Sequence, residues 1–335
     1  MFQARLMHNP TKTYLYLALM IWGCLTVFLG AFTRISDAGL GCPDWPGCFG
    51  EVTAPFSDAE LSEALTEYPI DVHVSPYKAW LEMIHRYAAS LFGGIIILVA
   101  FHIHRHENDP FKKMMSLVLI GLVLFQGALG MWTVTLKLHP LIVMGHLLGG
   151  MLLTSIMAWL YIDSIQPRKI FKPQMPAVAK WIKLSICLLA LQLFFGGWTS
   201  ATYSGSVCAT FPYCEGSLFP DMDFMSGFTF FQKWGENYQG GVMNHNARMA
   251  VHMVHRYYAF IVSIFFVISA IKSFAYPGIS RFWPYLVLSV LAIQVMLGVL
   301  NVWWYLPISL AVLHNFFGLT LLLVSVAWYM KARYQ

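Results

Sequence analysis

Charged residues are scarce in this sequence: Asp, Glu, Lys and Arg make up 11% of its 335 residues, whereas 58% are hydrophobic. An ordinary soluble domain carries about 25% charged residues, so that class is excluded. The apolar content also excludes a disordered chain. The 21 basic side chains exceed the 16 acidic ones by five, which is typical of cytoplasmic loops rather than of a nucleic-acid surface. We therefore expect a membrane protein that binds no nucleic acid.

Apolar runs long enough to cross a bilayer, about 20 residues each, occur eight times. The predicted spans are 13–33, 79–102, 114–134, 140–162, 180–202, 248–272, 282–303 and 308–330. The first run is long for a signal peptide and is not followed by a small-residue cleavage site. We therefore expect it to remain as the first helix.

The distribution of Lys and Arg predicts the side on which each connection lies, because basic residues accumulate in cytoplasmic loops. They occur near both chain ends and after the second, fourth and sixth spans, at Arg5, Lys12, Arg105, Lys112, Lys113, Arg168, Lys169, Lys172, Lys180, Lys272, Arg281, Lys331 and Arg333. Both termini are therefore predicted to be cytoplasmic. The two long loops, 34–78 and 203–247, are predicted on the opposite, oxidising side.

The sequence repeats at about half its length. Four motif types recur at similar offsets: His85 with His255, Gln126 with Gln294, His146 with His314, and Cys42 with Cys208. Each half holds four spans, an even number, so both halves enter the membrane from the same side. We predict an all-α integral membrane fold of two tandem, parallel-repeat four-helix bundles, residues 1–170 and 171–335.

Four of the 12 histidines lie at one depth in the predicted spans. His85, His146, His255 and His314 are each six or seven residues from the outer end of a span, roughly 10 Å at about 1.5 Å per residue. Polar residues at this depth are costly and usually face partners inside the bundle. Two imidazoles at one level on different helices can ligate a heme iron. Hydrogen-bonded interior histidines are the alternative, and zinc is disfavoured because no third ligand recurs at this level.

Arg86 and Arg256 directly follow two of these histidines, at the outer boundary of the membrane. Their guanidinium groups could bind heme propionates, or could anchor the helices at the interface. Gln126 and Gln294 also have two open assignments, because their amides could contact a ligand or bridge helices.

The two halves differ at one position near the histidines: Glu82 in the first half corresponds to His252 in the second. A carboxyl group beside a heme can accept a proton or stabilise positive charge, which a heme that only carries electrons does not need. We therefore expect the reacting site in the first half. The alternatives are that Glu82 is a hydrogen-bonded group near the interface, and that His252 competes with His255 as a ligand.

Two pairs of cysteines lie in the long loops, Cys42 with Cys48 and Cys208 with Cys214. Because these loops are predicted on the oxidising side, we expect two disulfide bonds. A bridge that closes so short a loop removes less unfolded-state entropy than a long one. A redox role for Cys42 and Cys48 is therefore an alternative to a purely structural one.

Several separated motifs belong together: Glu82-Met-Ile-His85-Arg86, His146, His255-Arg256, His314, and the loop segment Gly39-Leu-Gly-Cys42-Pro-Asp-Trp-Pro-Gly-Cys48. In combination they resemble the heme A synthase family, the membrane enzymes of cytochrome oxidase cofactor assembly. The resemblance extends over nearly the whole chain.

The resemblance implies oxidation of the C8 methyl group of heme O to a formyl group. Two hydroxylations pass through an alcohol, heme I, to a geminal diol that loses water to give heme A. It implies that His255 and His314 ligate a resident heme b, and that His85 and His146 hold the substrate heme with Glu82 near its reacting edge. The Cys42–Cys48 pair is similar to one proposed in some members to take part in electron transfer or substrate delivery.

The resemblance also implies a bacterial inner membrane location, with the cysteine-containing loops in the periplasm. The partners it implies are heme O as substrate, heme O synthase, an electron donor, cytochrome oxidase assembly factors and membrane lipid, and a homo-oligomer is compatible with it. Two other functions compete with the synthase. The first is a di-heme b cytochrome that passes electrons from quinol, which Glu82 disfavours because it occurs in one half alone. The second is a transporter, which ligands at a fixed depth in both halves disfavour.

Overall fold

The computed structural model describes residues 10–69, 73–165, 177–276 and 279–333, and within these residues it contains helices and no strand. The helices are α1 (Pro10–Ile35), α2 (Asp58–Glu67), α3 (Pro76–His106), α4 (Pro110–Thr135), α5 (Pro140–Ile165), α6 (Ala177–Ala201), α7 (Phe224–Gly227), α8 (His245–Phe274), α9 (Phe282–Trp303) and α10 (Ile308–Arg333). All except α2 and α7 are long and apolar enough to cross a membrane. The predicted all-helical membrane fold with eight spans is thus confirmed. The predicted boundary at 170 and 171 and the basic residues Arg5, Arg168, Lys169 and Lys172 lie outside the described residues.

Helices α3 and α8 extend beyond the predicted spans at both ends. They contain 31 and 30 residues, about 45 Å at 1.5 Å per residue, against about 30 Å for the hydrocarbon core of a bilayer. Polar caps allow the extra turns, because the side chain of Ser75 accepts from Lys78 N at 3.4 Å and that of Asn244 accepts from Ala247 N at 2.8 Å. A hydropathy pattern detects the apolar part of such a helix and misses its polar ends.

The eight long helices pack in two groups. In the first half, α1 contacts α3 and α5, and α4 contacts α3 and α5; in the second, α6 contacts α8 and α10, and α9 contacts α8 and α10. The groups meet where α1 and α5 pack against α10, and α5 against α6. We name the end of the bundle that carries the first loop (36–75) and the second loop (202–244) the loop face.

The two loops share local backbone features. Asp37 and Tyr203 both have φ near +55°, at 53° and 55°. Each loop also has an isolated antiparallel bridge directly after its second cysteine, between Cys48 and Glu51 in the first loop and between Cys214 and Ser217 in the second. The start of each loop is therefore shaped alike where it leaves the membrane.

Candidate functional site

The four histidines form two facing pairs of almost equal geometry. The rings of His85 on α3 and His146 on α5 have centroids 6.3 Å apart and planes at 86°. The rings of His255 on α8 and His314 on α10 have centroids 6.4 Å apart and planes at 85°. Each ring is partly accessible, although it lies well inside a span. The structure thus brings together, within each half, the two histidines that the sequence placed at one level.

The spacing of each pair fits a metal held between two imidazoles. A metal–nitrogen distance of about 2 Å on each side, and about 1.1 Å from each nitrogen to its ring centre, requires centroids about 6 Å apart. Residues 10–69, 73–165, 177–276 and 279–333 contain no cluster of three or more His, Cys, Asp or Glu that could hold a metal ion by itself. The arrangement therefore suits an iron whose remaining ligands come from a porphyrin.

A glycine on the neighbouring helix lies against each of the four rings. A Cβ atom added at these glycines would approach the histidine Cε1 at 2.8 Å for Gly30 and His85, 3.3 Å for Gly130 and His146, 3.1 Å for Gly196 and His255, and 3.0 Å for Gly298 and His314. Sequence analysis missed the roles of Gly30 and Gly196, although they are separated by 166 residues, the same offset as Cys42 and Cys208. Because glycine has no Cβ, each imidazole can approach the adjacent backbone closely with its Cε1 atom.

The ring nitrogens of the two pairs differ in their hydrogen bonds. Nδ1 of His85 and Nδ1 of His146 are buried and make no hydrogen bond of good geometry, although the backbone carbonyls of Thr26 and Gln126 interact with these rings. In the second half, His314 Nδ1 lies 3.1 Å from the carbonyl oxygen of Gln294, and His255 Nδ1 lies 3.1 Å from Nε2 of Gln192. The difference between the pairs is therefore the side chain of Gln192, which has no counterpart at the first pair.

Gln192 is a site residue that sequence analysis missed. Its Nε2 also donates to the backbone carbonyl of His255 at 3.1 Å. The offset of 166 residues places Thr26 at the matching position of the first half, where its hydroxyl donates to the carbonyl of Trp22 in its own helix. Aligning the two halves at this offset pairs Gln192 with Thr26, and this difference could have identified Gln192 from the sequence.

The two predicted glutamines lie beside the second histidine of each pair. Gln294 Nε2 is 3.4 Å from His314 Nε2, so this amide reaches the ring directly. Gln126 is buried and its Nε2 has no partner; a Cβ at Gly149 would overlap this amide at 1.6 Å. Both amides are thus on the inner surface of their bundle.

Glu82 is buried and connects α3 to the first loop. One carboxylate oxygen accepts from the backbone N–H of Cys42 at 3.0 Å, and the other accepts from Arg86 Nη2 at 2.5 Å. At the equivalent position, His252 Nδ1 lies 2.8 Å from the carbonyl oxygen of Ser204. The ring of His252 is thus directed to the start of the second loop, and it is His255 that faces His314.

Arg86 and Arg256 hold the loops. Nη1 of Arg86 donates to the carbonyls of Asp44, Pro46 and Gly47. Arg256 donates in the same way to the carbonyls of Cys208, Thr210 and Tyr213. The terminal nitrogens of both arginines thus donate to the two cysteine loops, at the outer ends of α3 and α8.

Both predicted cysteine pairs are disulfide-bonded. The Cα atoms of Cys42 and Cys48 are 4.8 Å apart, and those of Cys208 and Cys214 are 5.0 Å apart. All four cysteines are buried. Because Glu82 accepts from Cys42 N, the first disulfide loop meets α3 one turn from His85.

Comparison with known proteins finds relatives along the whole chain. The family described as cytochrome oxidase assembly protein, COX15-CtaA, matches residues 13–326. The chain is 39% identical to a heme A synthase of Shewanella oneidensis, over 94% of this chain and 94% of the relative. It is 27% identical to a heme A synthase of Rhodopseudomonas palustris, over 90% of this chain and 84% of the relative. It is 25% identical to a heme A synthase of Novosphingobium aromaticivorans, over 96% of each chain.

Proposed function

Since this chain belongs to the COX15-CtaA family of cytochrome oxidase assembly proteins, we propose that it is a multi-pass membrane enzyme that converts heme O to heme A. The methyl group is oxidised in two steps, through heme I to a geminal diol, and loss of water leaves the formyl group. The observation that carries the proposal is the pair of facing imidazole couples at 6.3 and 6.4 Å. One protein with two such couples can hold a substrate heme and a resident heme together.

We assign the substrate to His85 and His146 and the resident heme b to His255 and His314. One difference between the halves supports this division: the Gln192 amide donates to the His255 backbone carbonyl and contacts the His255 ring, which restrains this histidine in the second half. The first pair has no such side-chain partner, because Thr26 stands at the equivalent position and its hydroxyl donates within its own helix. The matched geometry of the pairs and loops also supports two tandem bundles in parallel orientation.

Glu82 is the residue that distinguishes the first half as the reacting site. It lies one turn from His85 on α3, and it is buried with Arg86 as its ion-pair partner at 2.5 Å. A carboxylate held there can accept a proton from the substrate methyl as its oxidation proceeds. Heme b supplies electron exchange when bound, and the side chains of the second half hold and orient it.

The disulfide loops cover the histidine pairs from the loop face. Arg86 joins the first loop to α3 and Arg256 joins the second to α8, so each loop is fixed to the helix that carries the first histidine of its pair. We assign Cys42 and Cys48 to holding the first loop over the substrate. Thiol–disulfide exchange with an external partner would require the loop to open first, because both cysteines are buried.

The surroundings of the protein follow from this function. We place it in a bacterial inner membrane with both termini in the cytoplasm and the disulfide loops in the periplasm, which the basic residues Arg105, Lys112 and Lys331 at the opposite end of the bundle support. The partners that we propose are heme O synthase, an electron donor, cytochrome oxidase assembly factors and membrane lipid. Assembly as a homo-oligomer is compatible with it.

The function is tested by the hemes that copurify with the protein. We expect extraction and chromatography to give heme b together with heme O, heme I or heme A, because a synthase holds its substrate or product beside its resident heme. Two equivalents of heme b, with no other heme when heme O is available, would instead identify a di-heme cytochrome.

A substitution at Gln192 tests whether this residue positions the ligand of the resident heme. We expect Gln192→Leu to weaken heme b binding by about tenfold, since loss of a group that orients a metal-bound histidine costs about 10–100-fold in affinity. The electron paramagnetic resonance signal of the bis-histidine iron should shift with it. Thr26→Leu, the matched change in the first half, should alter neither. An unchanged spectrum and heme b affinity in Gln192→Leu would contradict the assignment.

A further inference from the structure

Three cationic side chains meet between the two halves at the loop face. We name Arg34, Lys78 and Arg248 the cationic cluster. The Arg34 guanidinium lies 3.9 Å from the centre of the Tyr203 ring, and Arg248 Nη2 donates to the Tyr203 carbonyl. Lys78 Nζ lies 3.9 Å from Asp37 Oδ2, and the Tyr203 hydroxyl donates to Asp37 Oδ1 at 2.8 Å. The cluster thus joins the first half to the second.

The cluster has more positive charge than its neighbours balance. Asp37 is the carboxylate that pairs with it in the part of the chain that the structure describes, and the same carboxylate also accepts from Gln239 Nε2 at 2.9 Å. Burial raises the pKa of Tyr203, so its hydroxyl stays protonated and adds no negative charge. Three cations therefore face one anion.

Two of the cations also have buried donors without an acceptor. Nε of Arg34 and Nε of Arg248 are buried and unpartnered, although Arg34 Nη2 donates to the carbonyl of Ser200 at 2.7 Å. Arg256 Nε is also buried without a partner, but Arg86 and Arg256 each donate from their terminal nitrogens to three loop carbonyls, whereas Arg34 and Arg248 each donate to one carbonyl. A buried guanidinium N–H without an acceptor is costly and favours an anionic ligand.

The register of the helices places the cluster next to both histidine pairs. Arg34 follows Gly30 by four residues, so both share one face of α1, and Gly30 is the residue against which His85 packs. Lys78 precedes His85 on α3 by seven residues, which is two turns and about 10 Å. Arg248 likewise precedes His255 on α8 by seven residues. The cations therefore lie between the histidine rings and the loop face, and each is on the same face of its helix as the ring or the glycine beside it.

We propose that the cationic cluster binds the propionate carboxylates of the porphyrins. Arg34 and Lys78 bind those of the heme on the first pair, and Arg248 binds one from the heme on the second. This rests on the proposed function, which makes both ligands hemes with two carboxylates at one edge. The cluster orients that edge toward the loop face, and it sets which substrate edge faces Glu82.

The test compares heme O with heme O dimethyl ester, in which both carboxylates are esterified. Each is titrated into the purified full-length protein that contains heme b, and binding is followed by absorbance. We expect the wild-type protein to bind heme O at least about tenfold more tightly than the diester, since a charge-assisted hydrogen bond of about 1.4 kcal/mol corresponds to a factor of ten. Arg34→Gln and Lys78→Gln should each lower the affinity for heme O severalfold and leave that for the diester unchanged.

Arg105→Gln is the matched control, because it removes a positive charge at the opposite end of α3 and should leave the ratio of the two affinities unchanged. Equal affinities of the wild-type protein for both probes would overturn the proposal. The proposal would also be overturned if the Arg34 and Lys78 variants lost affinity for heme O and for the diester equally. The same holds if the ratio of the two affinities fell as much in Arg105→Gln as in those variants. Binding is measured without turnover, so the two proposals can fail separately. If heme O bound through its carboxylates but was never oxidised, the proposed function would be refuted and the propionate site would stand.

Discussion

Replacing His314 with leucine is expected to remove heme b from the purified protein and to leave the heme O site able to bind. His314 and His255 face each other at 6.4 Å, so the change removes one of the two axial ligands and leaves an apolar side chain of similar size. Loss of a group that hydrogen-bonds a metal ligand lowers metal affinity by about 10–100-fold. Because His314 is itself a ligand, we expect heme b content to fall by at least about 100-fold. The measurement is the heme b content and the bis-histidine spectrum of the purified protein.

His85→Leu is the matched variant in the first half. It should lower heme O binding and leave the heme b spectrum intact, because its partner is His146 at 6.3 Å. Equal loss of heme b in both variants would contradict the division between a substrate pair and a resident pair. An unchanged bis-histidine spectrum in His314→Leu would place the resident heme on other ligands.

Replacing Glu82 with glutamine is expected to stop heme A formation while heme b stays bound. The amide has nearly the shape of the carboxylate but is not a base. Because loss of a general base typically costs 10²–10⁴-fold, we expect the yield of heme A to fall by at least about 100-fold. The yield is measured by chromatography of the hemes formed from added heme O.

The control for Glu82 must separate chemistry from support of the loop. Arg86→Lys keeps a cation beside Glu82 but loses most of the donors to the loop carbonyls of Asp44 and Gly47. If Glu82 only held the loop, Arg86→Lys would lower the heme A yield at least as much as Glu82→Gln. A much smaller loss in Arg86→Lys, with the Cys42–Cys48 disulfide intact in both variants, is the expected result. A normal yield in Glu82→Gln would refute the catalytic assignment.

Much of the fold could be predicted because it depends on local features of the chain. Apolar runs of about 20 residues identify spanning helices wherever they pack, and all eight were found. The disulfide pairs were also predictable, since each pair is close in sequence and only one pairing within each loop is short. The ends of α3 and α8 were not predictable in this way, because these helices begin at the polar caps Ser75 and Asn244, outside the apolar runs.

The arginines show why the rest of the site could not be read from the sequence. Two assignments were open for Arg86 and Arg256, to propionates or to anchoring at the interface, because the sequence shows only that they follow histidines. Adjacent residues on a helix point about 100° apart, and the contacts of these side chains with the loops depend on tertiary structure. Arg34 and Arg248 are far from each other in sequence, and they come together at Tyr203 through the packing of the two halves.

The sequence by itself determined the eight spans, the depth of the four histidines and the two disulfides, because span length, position along a helix and short loop closure are properties of neighbouring residues. Tertiary structure decided that His255 rather than His252 faces His314, that Gln192 supports one pair alone, and which cations have unmatched donors. These depend on the rotation of each helix about its axis and on contacts between residues as far as 202 positions apart, which packing of the whole bundle determines.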